Sequence, residues 1–227
     1  MQIKGSIIFT SVLLTYKINL IWLQAKLLEY IKFIIYHCSM SREKNDFYPT
    51  PDYATHSFMK HHDIREGSPH VWGKDVWEPA CGDGAISKIL EKDYDMRVLS
   101  TDLVNRGYGQ SGIDFLMETK IEAPWVVTNP PYKLANEFVT KCLDFMDQEE
   151  HFNGFAMLLR LAFLEGQGRH DKIFTRKRPS KVMVYSKRLT MIRGDHDEAW
   201  YGSGKMAFAW FIWDRWDRDT VLTWIND

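Results

Sequence analysis

At 227 residues the chain can bury one substantial core, and 45% hydrophobic with 26% charged residues excludes wholesale disorder. A formal net charge of −1 neither demands nor excludes a nucleic-acid partner, because local patches decide that. Three widely spaced cysteines (Cys38, Cys81 and Cys142) show no Cys-x-x-Cys or Cys/His ligand spacing, which argues against a disulfide framework or any metal site and for a reducing cytoplasm.

The first forty residues differ from the rest. From Ile7 to Ile35 the chain is rich in Ile, Leu, Phe and Tyr. Lys17, Lys26, Glu29 and Lys32 interrupt it, so the run of about 18 uncharged residues that a spanning helix needs is absent. Three readings stand: an amphipathic helix, a weak membrane anchor, or an extension outside the native domain. The third is preferred, with residues 40–227 as a single domain, because every motif below follows Met40. A membrane partner is not expected.

Further along, Pro49 and Pro51 bracket Thr50, and a helix is expected over Tyr53–His62. Arg65–Lys74, with Gly67, Pro69 and Gly73, reads as a loop. Strands are expected at Asp75–Glu78, Arg97–Thr101, Trp125–Thr128, Gly154–Leu159, Val182–Tyr185 and Met206–Trp213, with helices over Ala85–Lys92 and Ala135–Met146. Strands alternating with helices imply an α/β, mostly parallel sheet with helices on both faces. Its ligands would bind at the carboxyl ends of the strands.

At the end of the first strand stands Glu78-Pro79-Ala80-Cys81-Gly82-Asp83-Gly84. Gly82 and Gly84 permit a tight turn and close backbone approach to a ligand. A helix beginning there offers unsatisfied N–H groups and a partial positive charge, suited to a carboxylate. Ser87 occupies the third glycine position of a dinucleotide fingerprint, which weakens that alternative. Asp102, about twenty residues beyond the turn, can accept hydrogen bonds from both hydroxyls of a ribose; its competing role is a loop cap. Asp114 and Phe115 can supply an acceptor for an adenine amino group and an apolar wall for its ring.

After the strand Trp125–Thr128 comes Asn129-Pro130-Pro131-Tyr132. Two prolines enforce a stiff, extended exit from the strand and remove two backbone donors. The side-chain oxygen of Asn129 and the carbonyl of Pro130 become fixed acceptors for an exocyclic amino group, and Tyr132 offers a stacking face for a planar ring. Intact Asn129 and Tyr132 argue for catalysis over passive cofactor binding.

Here the chain resembles the class I methyltransferases with an Asn-Pro-Pro-Tyr motif, most closely the small phage and prophage N6-adenine DNA methyltransferases. The resemblance spans roughly residues 46–213 and includes Phe47-Tyr48-Pro49-Thr50-Pro51, Leu158-Leu159-Arg160 and Phe163-Leu164-Glu165-Gly166. It implies a Rossmann-like, seven-stranded sheet with an antiparallel C-terminal strand, and S-adenosyl-L-methionine as cofactor. It further implies cofactor contacts from Tyr48, Thr50, Glu78, Ala80, Cys81, Gly82, Gly84, Asp102, Asp114, Phe115 and Asn129. The target amine would be held by Asn129, Pro130, Pro131 and Tyr132. The implied substrate is DNA; RNA adenine and a protein glutamine amide are alternatives, as is an inactive cofactor-binding subunit. Only 95 residues follow Tyr132, so target recognition is expected to be slight, built from loops, or supplied by a partner protein.

Between Arg169 and Arg188 lie eight basic residues against Asp171 alone. Arg169, Arg176, Lys177 and Arg178 are candidate phosphate contacts, with a solvated face as the alternative. Trp210, Trp213 and Trp216 are read as core and sheet-edge residues, and Gly194–Gly204 as a lid or base-contacting loop.

Overall fold

Trp125–Thr128, Gly154–Arg160 and Phe208–Asp214 are apolar at successive rather than alternate positions, a pattern that demands cover on both faces of a sheet. The computed structural model describes residues 26–28, 47–62, 64, 75–191, 206–216 and 219–226. The chain divides into Met1–Arg42, of which only the exposed helical residues 26–28 are described, and Glu43–Asp227. The expected loops at Arg65–Lys74 and Gly194–Gly204 lie outside the described residues.

In chain order the second unit contains helix α1 (Asp52–His61), strand β1 (Asp75–Glu78), helix α2 (Ala85–Tyr94), strands β2 (Arg97–Asp102), β3 (Gln110–Ser111) and β4 (Trp125–Thr128), helix α3 (Ala135–Gln148), and strands β5 (Gly154–Arg160), β6 (Lys181–Tyr185), β7 (Phe208–Asp214) and β8 (Val221–Ile225). They form one eight-stranded sheet in the order β3-β2-β1-β4-β5-β7-β6-β8. All pairings are parallel except those of β7, which runs antiparallel to both β5 and β6.

Side chains alternate across this sheet, and both faces are buried. Trp77, Val126, Phe155, Met157, Phe211 and Trp213 pack on one side with Phe138, Val139, Cys142 and Phe145 of α3. Val76, Trp125, Val127, Ala156, Leu158, Trp210 and Ile212 pack on the other with Phe58 of α1 and Ile86 and Leu90 of α2. At this density a single methyl is felt. A Cβ at Gly154 would lie 2.4 Å from the Trp213 carbonyl oxygen and 2.8 Å from the Trp125 ring.

Strands β1 and β4 are neighbours whose onward connections diverge, since β1 leads to β2 on one side and β4 to β5 on the other. That divergence opens a crevice at their carboxyl ends. The glycine turn leaves β1 there and Asn129 leaves β4 there.

The expected strands are present with ends shifted by two residues at most, but among the described residues the sheet has eight strands rather than seven. β3 is two residues within a loop holding Gly107, Gly109 and Gly112, too short for a periodic signal. β8 is an edge strand on which Val221, Leu222 and Trp224 are exposed, so it lacks the apolar alternation that reveals a covered strand. Trp210 and Trp213 are buried as expected; Trp216 instead lies just past the end of β7 and is 59% exposed. Among the described residues no helix is long and apolar enough to cross a membrane.

Candidate active site

The crevice holds a cavity of about 390 Å³, within the usual range for small-ligand sites. Its walls include Tyr48, Thr50, Glu78, Ala80, Cys81, Gly82, Asp102, Asp114, Phe115 and Asn129. Of the residues expected around a cofactor, only Gly84 is not part of the lining. It caps the start of α2 with φ of 84°, and a Cβ there would meet the Tyr108 ring at 2.4 Å. Gly84 therefore shapes the turn without touching its contents. Leu103, Val104, Arg106, Ile113 and Phe138 also line the cavity and were not expected; Phe47 of the resemblance segment Phe47–Pro51 lines it too. Ile113 could have been inferred from its place beside Asp114; the others depend on the packing of separate segments.

Gly82 adopts φ of 58°, which favours glycine, and its N–H donates to Asp102 Oδ2 at 2.8 Å. The other carboxylate oxygen accepts from the Val104 N–H at 2.7 Å and Arg106 Nη1 at 3.0 Å. Asp102 thus ties the end of β2 to the turn after β1, across the cavity floor. The ring of Phe47 closes over the same turn, 2.5 Å from where a Cβ on Gly82 would stand, and the Arg106 guanidinium lies 4.4 Å above that ring.

Glu78 is 2% exposed at the end of β1. Ser87 of α2 donates to it twice, from N–H at 2.9 Å and from its hydroxyl. Burial raises the Glu78 pKa well above the ordinary 4.5, and the two Ser87 bonds oppose that rise only in part. Ser87, which disfavours a dinucleotide motif, here holds a buried acid beside the cavity. Burial also pushes the Cys81 thiol up to about 12, with the charges of Glu78 and Asp102 adding to it, so Cys81 is a neutral wall and not a nucleophile.

The amide of Asn129 has one defined orientation. Its nitrogen donates to the Tyr48 carbonyl oxygen at 3.0 Å and to Thr50 Oγ1 at 3.1 Å. A carbonyl oxygen can only accept, so the Asn129 nitrogen must face Tyr48 and Oδ1 must face away. That Oδ1 is buried and has no hydrogen-bond partner among the described residues. An unmet buried acceptor is costly by about 1–3 kcal/mol, and a donor arriving from a ligand would remove the cost. Pro130 is buried and Pro131 lines the cavity. Tyr132 stacks on Tyr48 with ring centroids 5.8 Å apart and planes at 25°, and Phe208 tilts against it at 5.5 Å.

The basic stretch does not gather at this edge. Strand β6 runs parallel to β4, so its start lies at the far edge of the sheet, roughly 16 Å away for five residues. Arg176, Lys177 and Arg178 immediately precede that start. Arg176 is bound to Asp144 at 2.7 Å and Asp147 at 2.6 Å on the last turns of α3, and Lys177 Nζ donates to the Arg215 carbonyl. Arg176 and Lys177 thus hold partners within the fold, and a sequence-contiguous charge run is divided between two edges by one strand. Arg169, in the segment leaving β5, stays near the crevice edge, where it donates to the Glu165 and Ala162 carbonyls. Lys187 and the exposed Arg188 follow the end of β6 on that edge too. Reversing the charge at Arg176, Lys177 and Arg178 together should lower the melting temperature while leaving substrate KM within about twofold, since surface ion pairs contribute about 0–1 kcal/mol to folding and none here reaches the crevice. A large rise in KM with an unchanged melt would instead support these three as phosphate contacts.

No group of three or more His, Cys, Asp or Glu side chains is placed to hold a metal ion among the described residues. No protein-family model matches the chain, and no curated protein matches it. Solved structures do. One is the methyltransferase subunit of a type I restriction-modification system from Streptococcus thermophilus, at TM-score 0.54 and 12% identity over 78% of this chain. The chain spans 47% of that protein's length. A second is a dimethyladenosine transferase from Plasmodium falciparum, at TM-score 0.45 and 12% identity over 73% of this chain and 62% of that one. The first similarity establishes a fold in common: a Rossmann-like sheet with an antiparallel strand near its C-terminal end.

Proposed function

We propose that this chain transfers the methyl group of S-adenosylmethionine to a planar amino nitrogen, with N6 of adenine in DNA as the favoured target. The observation that carries the reading is the orphaned, oriented Oδ1 of Asn129 at the mouth of a cavity suited to a nucleoside. The residues fit the cofactor. Asp102 would hold the ribose, Asp114 and Phe115 the adenine, and Glu78 with the Gly82 turn the amino acid end. When bound, the cofactor supplies an electrophilic methyl on a sulfonium.

The chain's own contribution is positional. Asn129 Oδ1 accepts one amino hydrogen, and the rigid Pro130–Pro131 exit fixes where that acceptor points. Tyr132 presents its ring to the planar target, a contact worth about 1–3 kcal/mol per base. Phe47 and the Tyr48–Thr50 strap exclude water from the cavity. An adenine within a duplex cannot reach this site, so a DNA target must be extruded or single-stranded.

Glu78 makes the cofactor assignment testable without turnover. Its raised pKa means that the neutral form stabilises the ligand-free fold, fully below pH 4.5 and with loss as pH rises through the folded value. A cofactor ammonium beside it would favour the carboxylate, so binding at pH values between 4.5 and that raised value should release a proton. Calorimetry in two buffers of different ionisation enthalpy should show the release, and Glu78→Gln should abolish it. Binding with no linked proton in the native chain would remove Glu78 from the ammonium site.

The product itself is decided by labelled cofactor and unmethylated DNA, followed by nucleoside analysis. N6-methyladenine is expected. Label appearing only in RNA, or only on a protein glutamine, would move the target while keeping the amine chemistry. No transfer to any of them would leave a cofactor-binding subunit.

A further inference from the structure

Arg160 is the last residue of β5 and has no part in the mechanism above. Thr128 pairs with Met157, so β5 continues past the end of β4 at the catalytic edge, and Arg160 pairs there with Phe208. Its guanidinium carbon lies 4.9 Å from the centre of the Tyr132 ring. The Nε atom is enclosed and meets no acceptor, and no carboxylate among the described residues pairs with the side chain. Arg176, by contrast, holds two carboxylates, and Arg215 donates to three backbone carbonyls. Those two arginines are used structurally, whereas this one lies beside the Tyr132 ring with its Nε donor unspent.

A half-buried guanidinium with an enclosed free N–H calls for an anion, and its planar fork matches phosphate oxygens. With Arg176, Lys177 and Arg178 at the far edge, the phosphate contact nearest the reacting base must come from elsewhere. We propose that Arg160 is a substrate-binding residue that grips the phosphate flanking the target nucleotide while Tyr132 stacks on its base. This inference rests on the nucleic-acid reading of the same site. Arg160 acts only on the target and is not part of the cofactor cavity lining.

The test uses the full chain with S-adenosylhomocysteine and a fluorescent seven-nucleotide single strand carrying one adenine among thymines. The strand is made with ordinary phosphates, or with neutral methylphosphonates on both sides of the adenine. Neutral linkages should weaken binding to the native chain by about tenfold, the scale of a charged hydrogen bond. Arg160→Met should bind the ordinary strand about tenfold more weakly and no longer distinguish the two. Arg160→Lys should recover part of the distinction, and both variants should keep cofactor affinity within about twofold. Equal discrimination by Arg160→Met and the native chain, or none by the native chain, overturns the assignment, as does failure of the native chain to bind the strand. Methyl transfer to the same strand is scored separately. Transfer without a linkage effect overturns only the role of Arg160, whereas a linkage effect without transfer overturns the reaction and supports the phosphate contact.

Discussion

Asn129→Ala is expected to lower methyl transfer by about 10³-fold or more, the scale seen when one preorganised polar group is removed from a reacting centre. The substitution deletes the oriented, unpartnered Oδ1 that Asn129 brings to the cavity wall. It also deletes two donors, to the Tyr48 carbonyl and Thr50 Oγ1, which hold the strap over the crevice. Cofactor affinity should therefore fall as well, but only several-fold, since the Phe47 contact with the glycine turn persists. Asn129→Asp separates these two roles. It retains an acceptor for the amine but sets a carboxylate against the Tyr48 carbonyl, so it should disturb the strap more than the alanine does. Single-turnover transfer and calorimetry on each variant give both quantities. Activity within tenfold of the native chain in Asn129→Ala would end the catalytic assignment.

Asp102→Ala should weaken S-adenosylmethionine binding by a factor of about 10 to 150, corresponding to about 1.5–3 kcal/mol for a charged hydrogen bond. The structure adds a second consequence. The carboxylate already accepts from the Gly82 and Val104 N–H groups and from Arg106, so three donors lose their partner together. The Gly82 turn should loosen and the melting temperature of the ligand-free protein should fall. Asp102→Asn, isosteric and with one acceptor oxygen left, should retain more of the fold than of the affinity. Unchanged cofactor affinity in Asp102→Ala, with a lowered melt, would show that Asp102 serves only to anchor the turn. The ribose must also compete with Arg106 for this carboxylate, which makes Arg106→Ala a useful companion.

Most of the central sheet was legible in the sequence. Strands β4, β5 and β7 are covered on both faces, and burial imposes runs of large apolar residues there. Strand-end polar residues were legible for a related reason. Gly82, Asp102, Asp114 and Asn129 each interrupt an apolar run or follow one closely, and a parallel sheet brings all such ends to one edge. The resemblance carried by Asn129-Pro130-Pro131-Tyr132 supplied the chemistry proposed above.

What stayed hidden were relations between segments distant in the chain. The edge strand β8 escaped notice because one open side relaxes the pattern that burial enforces. The orphaned oxygen of Asn129 follows from its amide nitrogen being claimed by residues 79 and 81 positions away, which no local pattern encodes. Ser87 was visible only as a missing glycine; its bond to Glu78 exists because α2 folds back over β1.

The basic stretch marks the boundary most sharply. The sequence by itself determined the alternation of strands and helices, the edge at which ligands gather, and the residue types placed there, because these depend on local burial and on the direction of each strand. Only the tertiary structure decided which charges share that edge. The segment between β5 and β6 carries Arg176, Lys177 and Arg178 to the edge where β6 begins, whereas Arg160 ends β5 beside Tyr132, since proximity in a parallel sheet follows strand direction and pairing rather than distance along the chain.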